Sequence, residues 1–376
     1  MKRNIFEGSS KEHVIFKDEK YLYPEYLPER LPHRDSEINS LVFSLQPVLK
    51  GGKPQNVFIA GSTGTGKTAT VRYVLNELQE YSDRAKSLYI NCFEFNSRHS
   101  ILSKLSNFLG SAVPRRGTAT DEIHSRFVEA LRKTSFVPIV VLDEVDQLIL
   151  KDEGEKLLYD ILRAVEMEKS RIGLIMISND IELTAKLDAR VKSSLSEEKI
   201  IFSSYSPAQL KDILKERSSF AFAANALAED VIPLAAAHAS KLGGDARVAI
   251  EALLKAGRQA EKENSEKVEV RHLKKAFEVA DSVSLIKGVK HLIPNEKTLL
   301  EIISTSSGIQ SGEIFSEFSK KSSGLSERRI RDLLNELEKK NFIVSETVEL
   351  GNKGKTRKFS SRLPREILVK ALKENS

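Results

Sequence analysis

The chain has one cysteine, no apolar run long enough to cross a membrane, no internal repeat and no low-complexity tract. Each absence removes a class of protein. A lone Cys92 cannot form an internal disulfide, and in its apolar setting it reads as a small core residue rather than a nucleophile. A spanning helix needs about twenty consecutive apolar residues, and none are found. The start, Met1-Lys2-Arg3-Asn4-Ile5-Phe6-Glu7, lacks the apolar centre of a signal peptide. These readings predict a cytoplasmic protein, nucleoid-associated if it binds DNA, with no membrane partner. What remains, 376 residues that are 40% apolar and 30% charged, has the composition of a soluble globular protein of two or three domains.

Positive charge is concentrated at one end. Residues 286–376 hold 18 Lys and Arg against 12 Asp and Glu, while residues 1–285 balance at 41 against 41. The whole basic excess of +6 therefore lies in the last quarter. A phosphate backbone is met by a local patch and not by an average, so this asymmetry points to nucleic acid.

The organisation along the chain follows from periodicity. A proline-punctuated, aromatic arm (Tyr23 to Arg34) precedes a helix predicted over Asp35–Leu49. Apolar strands are predicted at Val57–Ala60, Ser87–Asn91, Pro138–Leu142, Gly173–Ser178 and Lys199–Phe202, with helical patterns between them. That alternation implies a parallel sheet covered by helices. Strands then stop, and Pro207–Phe222, Ala228–Leu242, Asp245–Lys262 and Arg271–Ala280 read as four helices. Gly243-Gly244 breaks the second from the third, and Asp245 can cap the third. Three more helices are predicted at Asn295–Thr305, Ser311–Lys320 and Ser326–Lys340. A hairpin follows, Phe342–Leu350 and Lys355–Ser360 about the turn Gly351–Gly354. The predicted domains are 1–205, 206–284 and 285–376.

The chemistry is spelled most plainly at Gly61-Ser62-Thr63-Gly64-Thr65-Gly66-Lys67-Thr68, which fits G-x-x-x-x-G-K-S/T between an apolar strand and a helical pattern. Glycines let backbone N–H groups turn toward a polyphosphate, and the helix N-terminus adds partial positive charge. Lys67 can reach the β- and γ-phosphates, and the Thr68 hydroxyl can ligate Mg²⁺. The second motif is Ile139-Val140-Val141-Leu142-Asp143-Glu144, a strand ending in two carboxylates. Asp143 would hold Mg²⁺ through water, and Glu144 would polarise an attacking water. Asp146 either extends this acidic cluster or caps a helix. Asn179, at the end of Gly173–Ser178, is on the ligand edge of a parallel sheet and can orient water, although a strand-ending Asn in a turn is also common. Arg190 and Arg247 have the geometry and charge for a γ-phosphate. By type alone each is as readily a surface ion-pair partner.

The ordered set Gly61–Thr68, Asp143-Glu144, Asn179, Arg190 and Gly244-Asp245-Ala246-Arg247 resembles the AAA+ ATPases. More narrowly, the chain resembles the archaeal origin-recognition and helicase-loading replication initiators. That match rests on Leu31-Pro32-His33-Arg34, Leu187–Leu195, and Tyr205 followed by Gln209-Leu210, Ile213-Leu214 and Arg217, and on the winged-helix-like tail. The resemblance implies an α/β AAA+ P-loop NTPase with an all-α lid and a C-terminal winged helix. It implies that Arg247 senses the nucleotide bound in cis and Arg190 reaches a neighbouring subunit's nucleotide. Tyr205 and Arg217 would contact nucleotide at the hinge, and the arm near Leu27–Pro32 would wall the base. Two departures stand out: Ala189 where family members often have Pro, and an alanine-rich stretch, Ala221–Ala239, which predicts looser lid contacts.

For DNA, the predicted helix Ser326–Lys340 puts Ile330, Leu333, Leu334 and Leu337 on one face. Arg328, Arg329, Asn335 and Lys339 remain on others, with the N-terminus the end that usually meets base edges. The hairpin carries Lys353, Lys355, Arg357 and Lys358, suited to phosphate or minor-groove contact. Between Asn91 and Pro138 there is more chain than one crossover helix needs. In the family an inserted hairpin there (near 97–118) meets DNA, and Arg115 and Arg116 are the candidates. The reading is an ATP-dependent initiator that binds origin duplex DNA, with ATP/ADP and Mg²⁺ at the loop, ATP acting as a slow-turnover switch, and other initiator subunits and the replicative helicase as implied partners. An NTP-switched transcriptional regulator and a protein-remodelling loader ATPase share the same parts.

Overall fold

The computed structural model describes residues 15–114, 117–306, 308–321, 325–349, 355–363 and 365–373. Its contacts fall into two compact units, Met1–Val270 and Arg271–Ser376. No helix among the described residues is long and apolar enough to cross a membrane.

The first unit is built on five parallel strands: β1 (Val57–Gly61), β2 (Ala85–Asn91), β3 (Val137–Asp143), β4 (Gly173–Ser178) and β5 (Glu198–Phe202), in the order β2-β3-β4-β1-β5. Every residue of the three central strands is buried, whereas both edge strands include exposed positions. Central parallel strands covered on both faces need continuous apolar runs, and these sequences supply them. Alternate residues feed two cores. Phe58, Val140, Leu142 and Met176 pack under the helices Arg98–Phe108, Thr120–Lys133 and Asp152–Met167. Val57, Ile59, Val141 and Ile175 pack under Asp35–Leu45 and Lys67–Tyr81. Register aligns Asn91 with Asp143, Asp143 with Ile177, and Ala60 with Ser178. The carboxyl ends of four neighbouring strands are thereby brought level, which is where open parallel sheets bind ligands.

The segment around 97–118 opens with a helix, Arg98–Phe108. In this helix Ile101, Leu102 and Leu105 are buried in the main core, and Val113 of the connection after it is buried there too. Ser97 caps this helix with a reciprocal bond to Ser100. Arg115 and Arg116 lie outside the described residues.

The helices Pro207–Ala221, Val231–Lys241 and Ala246–Lys262 pack beside the sheet in the same unit. The alanine-rich stretch contributes small residues to their packing. Ala221, Ala226, Ala235, Ala236 and Ala239 are all buried, because a methyl side chain lets neighbouring elements approach closely. The amino-terminal arm is stitched to this bundle. Phe16 stacks on Phe222 at 4.9 Å and lies over Gly257, where a Cβ would meet its ring at 2.2 Å. The fourth helix runs from Val270 to Gly288, about two turns beyond the predicted end.

In the second unit, helices Pro294–Ile303, Ser311–Lys321 and Glu327–Lys339 enclose a core with the three-stranded antiparallel sheet β6 (Ile309–Gln310), β7 (Ile343–Glu349) and β8 (Lys355–Ser361), ordered β6-β8-β7. Ile330, Leu333, Leu334 and Leu337 are buried on the predicted face. A terminal helix, Arg365–Lys373, inserts Leu368 and Ala371 into this core and is an addition to the elements predicted from the sequence. Three helices with a two-stranded hairpin make a winged helix-turn-helix.

Candidate nucleotide site and nucleic-acid interface

The glycine-rich loop leaves β1 through Gly61, Gly64 and Gly66, at φ 152°, 68° and 90°. A Cβ at these positions would strike the Phe202 carbonyl at 2.3 Å, the Asp245 carboxylate at 1.6 Å and the Tyr205 hydroxyl at 2.8 Å. Both the left-handed backbone and the close approach call for glycine. Lys67 opens the following helix, and its Nζ donates to the Gly61 and Ser62 carbonyls (both 2.8 Å) and to Asn179 Oδ1 (2.9 Å). Burial pulls the Lys67 ammonium below its ordinary range, against the opposing charge of Asp143.

Asp143 ends β3 and gathers three donors. Thr68 Oγ1 donates to Asp143 Oδ2 at 2.7 Å, Tyr89 Oη donates to the same oxygen, and the Glu144 N–H reaches Oδ1 at 2.9 Å. Glu144 has φ 56°, a sharp turn at the strand end that a side-chain-bearing residue adopts at a cost of about 1–2 kcal/mol. Burial, followed by the charges of Asp143 and Asp146, pushes the Glu144 carboxyl above its ordinary range. Asp146 accepts from Ser178 Oγ at 2.9 Å. Among the described residues no cluster of three or more His, Cys, Asp or Glu could cage a metal. The Thr68 hydroxyl and Asp143 carboxylate are instead a two-oxygen set, which fits a hard ion that completes its shell with phosphate oxygens and water.

The bundle closes over the loop. Asp245 caps Ala246–Lys262 by accepting from the Arg247 N–H at 2.8 Å, and the Ala246 N–H bonds the Gly64 carbonyl at 3.2 Å. Arg247 is largely exposed, and its charge acts on both Lys67 and Glu144. Tyr205 is buried against the loop and accepts from Arg34 Nε at 3.0 Å. Arg217 is turned to the arm. Its guanidinium bonds the carbonyls of Tyr21 (3.2 Å) and Tyr26 (3.3 Å), lies over the Tyr26 ring, and is lowered from its ordinary pKa by burial. Arg190, two residues after the helix cap Asp188, has a side chain 79% exposed that bonds this cap at 3.0 Å. Burial pushes the Cys92 thiol up to about 12, in keeping with an inert core residue.

In the second unit Ser326 caps Glu327–Lys339 by accepting from the Arg329 N–H. Arg328, Arg329 and Lys358 are exposed. Asn335 and Arg357, expected to face DNA freely, bond each other at 2.8 Å. Lys353 lies outside the described residues, as does the side chain of Lys355, whose backbone pairs with Glu349.

Two family signatures match. Residues 51–187 match the AAA domain, and residues 211–278 match the Cdc6 AAA+ ATPase-type lid domain. The chain is 38% identical over 387 residues to ORC1-type DNA replication protein 1 of Archaeoglobus fulgidus, covering 99% of this chain and 94% of that protein. It is 38% identical over 375 residues to the ORC1-type DNA replication protein of Thermococcus kodakarensis, covering 95% and 90%. The chain belongs to the ORC1-type DNA replication proteins, the ORC1/Cdc6 family of initiators. The solved structure of the Aeropyrum pernix ORC1 protein in complex with DNA superposes with a TM-score of 0.72 at 33% identity, over 97% of this chain and 98% of that one. Cdc6p from Pyrobaculum aerophilum, at 23% identity and a TM-score of 0.64, shares the fold. The Gly61–Thr68 loop lies within the residues that match the AAA domain.

Three side chains of this ORC1-type site lie beyond what the sequence shows. Sequence places Arg34 in the arm and in the stretch Leu31-Pro32-His33-Arg34 that carries the resemblance, without a role. Its guanidinium, 4% exposed, bonds the Thr65 carbonyl (3.0 Å), the Ser203 carbonyl (2.8 Å), Glu37 (2.6 Å) and Tyr205, and so ties loop, hinge and arm together. Tyr89 holds Asp143 from two residues before Asn91 on β2, with Arg72 over its ring at 4.5 Å. Asp245 reads from sequence as a cap alone. A hydroxyl two residues short of a strand end carries a signal only once the β2–β3 register is known.

Proposed function

We propose that this ORC1-type protein is an ATP- and ADP-bound replication initiator that binds origin duplex DNA through its winged helix and uses nucleotide mainly as a switch. The observation that carries the nucleotide half is the convergence of Lys67, Thr68, Asp143 and Asn179 within one hydrogen-bonded cluster at the sheet edge. Lys67 and the loop N–H groups would bind the phosphates, and Thr68 and Asp143 would hold Mg²⁺. The ion would supply charge neutralisation to the phosphoryl oxygens. Glu144, its pKa raised, would accept a proton from the attacking water, and Asn179 would orient that water. Arg247 would read the nucleotide from the lid in cis. Arg190, exposed and bonded to its own helix cap, suits contact with a neighbouring subunit, so turnover by a lone chain would be slow.

The DNA half is supported by the basic excess, by exposed Arg328, Arg329 and Lys358, and by the Aeropyrum pernix ORC1 relative, whose structure contains DNA. Other initiator subunits and the replicative helicase would be partners on that DNA. The test is a pair of binding titrations. Lys67→Ala should weaken ATP and ADP binding by calorimetry about a hundredfold or more, with the fold intact by circular dichroism. Wild-type protein should bind duplex DNA with an affinity that falls steeply with salt. Normal nucleotide affinity in the variant would refute the loop assignment, and salt-independent or absent duplex binding would favour a protein-remodelling ATPase.

A further inference from the structure

The wing and the recognition helix meet through one arginine. Arg357 lies on β8, opposite Thr347 of β7. Its Nη1 donates to Asn335 Oδ1 at 2.8 Å, and its Nη2 donates to Glu338 Oε2 at 2.5 Å and to Ser345 Oγ at 2.8 Å. Nε reaches the same Ser345 oxygen at 3.3 Å. Ser345 Oγ in turn donates to Glu338 Oε1 at 2.6 Å. The guanidinium lies 4.8 Å from the centre of the Phe359 ring, which is itself buried. Four of its five N–H bonds are thus directed at helix and wing, with its charge neutralised by Glu338. Asn335, the one amide of this helix with the chemistry to read an adenine edge, is held by the same group. Lys358, the next residue, is exposed, with its stem over Gly308, where a Cβ would meet its Cε at 2.2 Å. Two adjacent cations on one strand therefore have different fates.

We infer that Arg357 is a positioning residue, not a DNA contact: with Glu338 and Ser345 it fixes the wing to the recognition helix, so that Arg328 and Arg329 on the helix and Lys358 on the wing meet the duplex as one surface. This rests on the DNA-binding reading above. A phosphate contact and a strut differ in the sign of one substitution. If Arg357 were a contact merely masked by Glu338, removing the carboxylate would release a cation and tighten DNA binding. If the pair is a strut, removing either member loosens the surface and weakens binding, although Glu338→Ala deletes a negative charge.

The experiment measures binding of the full chain to a labelled mixed-sequence duplex across salt. It compares wild type, Glu338→Ala, Arg357→Ala, the double variant, Glu338→Gln, Lys358→Ala and Arg328→Ala. Amide hydrogen exchange in β7 and β8 is followed alongside. The strut predicts that Glu338→Ala and Arg357→Ala each weaken binding about threefold to tenfold, that the double variant is no weaker than the worse single, and that both singles speed exchange in the hairpin. Glu338→Gln, which keeps an acceptor for the guanidinium, should retain near wild-type affinity. Lys358→Ala should lower the slope of log K against log salt by about 0.9, the signature of one lost phosphate contact. Tighter binding by Glu338→Ala, or unchanged affinity and exchange in both singles, overturns the proposal. If Lys358→Ala and Arg328→Ala leave duplex affinity untouched, the winged-helix DNA reading fails first, and the strut has nothing to position.

Discussion

The glycine-rich loop and the winged helix hold their cations in opposite ways. At the loop, Lys67 and Arg34 are 7% and 4% exposed, and their hydrogen bonds go to named carbonyls and carboxylates. In the winged helix, Arg328 and Arg329 on the helix and Lys358 on the wing are exposed, whereas Arg357 is neutralised by Glu338. Burial makes each loop contact strong and leaves each loop residue nearly irreplaceable, because an unpaired group left inside carries its full desolvation cost. Exposure makes each wing contact weak and additive, so that number and spacing matter more than any one residue.

That contrast can be tested from its strongest side downward. Arg34→Ala should have the largest effect. It leaves the Thr65 and Ser203 carbonyls and Glu37 without their shared donor, which should destabilise the first unit by about 3–5 kcal/mol in thermal or denaturant unfolding. Arg34→Lys should not rescue it, because an ammonium lacks the planar fork that serves four partners. Lys67→Ala should weaken ATP about a hundredfold or more by calorimetry, since charge-assisted bonds contribute about 1.5–3 kcal/mol each. Gly64→Ala forces a left-handed residue against Asp245 and should displace the lid cap, weakening nucleotide about tenfold, for a strain of about 1–2 kcal/mol. Unchanged nucleotide affinity in the Gly64→Ala variant would mean that the lid contact plays no part in binding. At the weak end, Glu338 is held below its ordinary pKa, first by the Ser345 hydroxyl and then by Arg357. A lowered folded pKa contributes stability that is present above the ordinary glutamate value of about 4.3 and is lost as pH falls through the folded value. The protection of hairpin amides, taken relative to their intrinsic exchange rate at each pH, should therefore be level from neutral pH down to about 4.3 and fall below it, and Glu338→Gln should remove that dependence.

How much of this is legible in the sequence follows the same division. The central strands are readable because a parallel strand buried on both faces must be apolar along its length, and residues 57–61, 137–142 and 173–177 are. Gly61–Thr68 is readable because the motif encodes backbone geometry. The buried face of Glu327–Lys339 is readable from helical spacing. Tyr89 and Asp245 are not, because each acts across a strand pairing or a domain closure that periodicity does not encode. The terminal helix does leave a trace: Ile367, Leu368, Ala371 and Leu372 fall at helical spacing, in a stretch short enough to pass for a tail. The wing's basic residues are visible as charge, but charge alone does not say which cation faces solvent and which is neutralised at home. Arg357 and Lys358, adjacent in sequence, separate only in the folded hairpin.

The most direct test of the account is to capture genomic fragments on the purified protein with ATP at moderate salt, sequence them, and map replication start sites in the same cells. The account predicts enrichment at one or a few loci that share a motif and coincide with those start sites. Enrichment spread over many promoters, away from any start site, would contradict it and point to a transcriptional regulator.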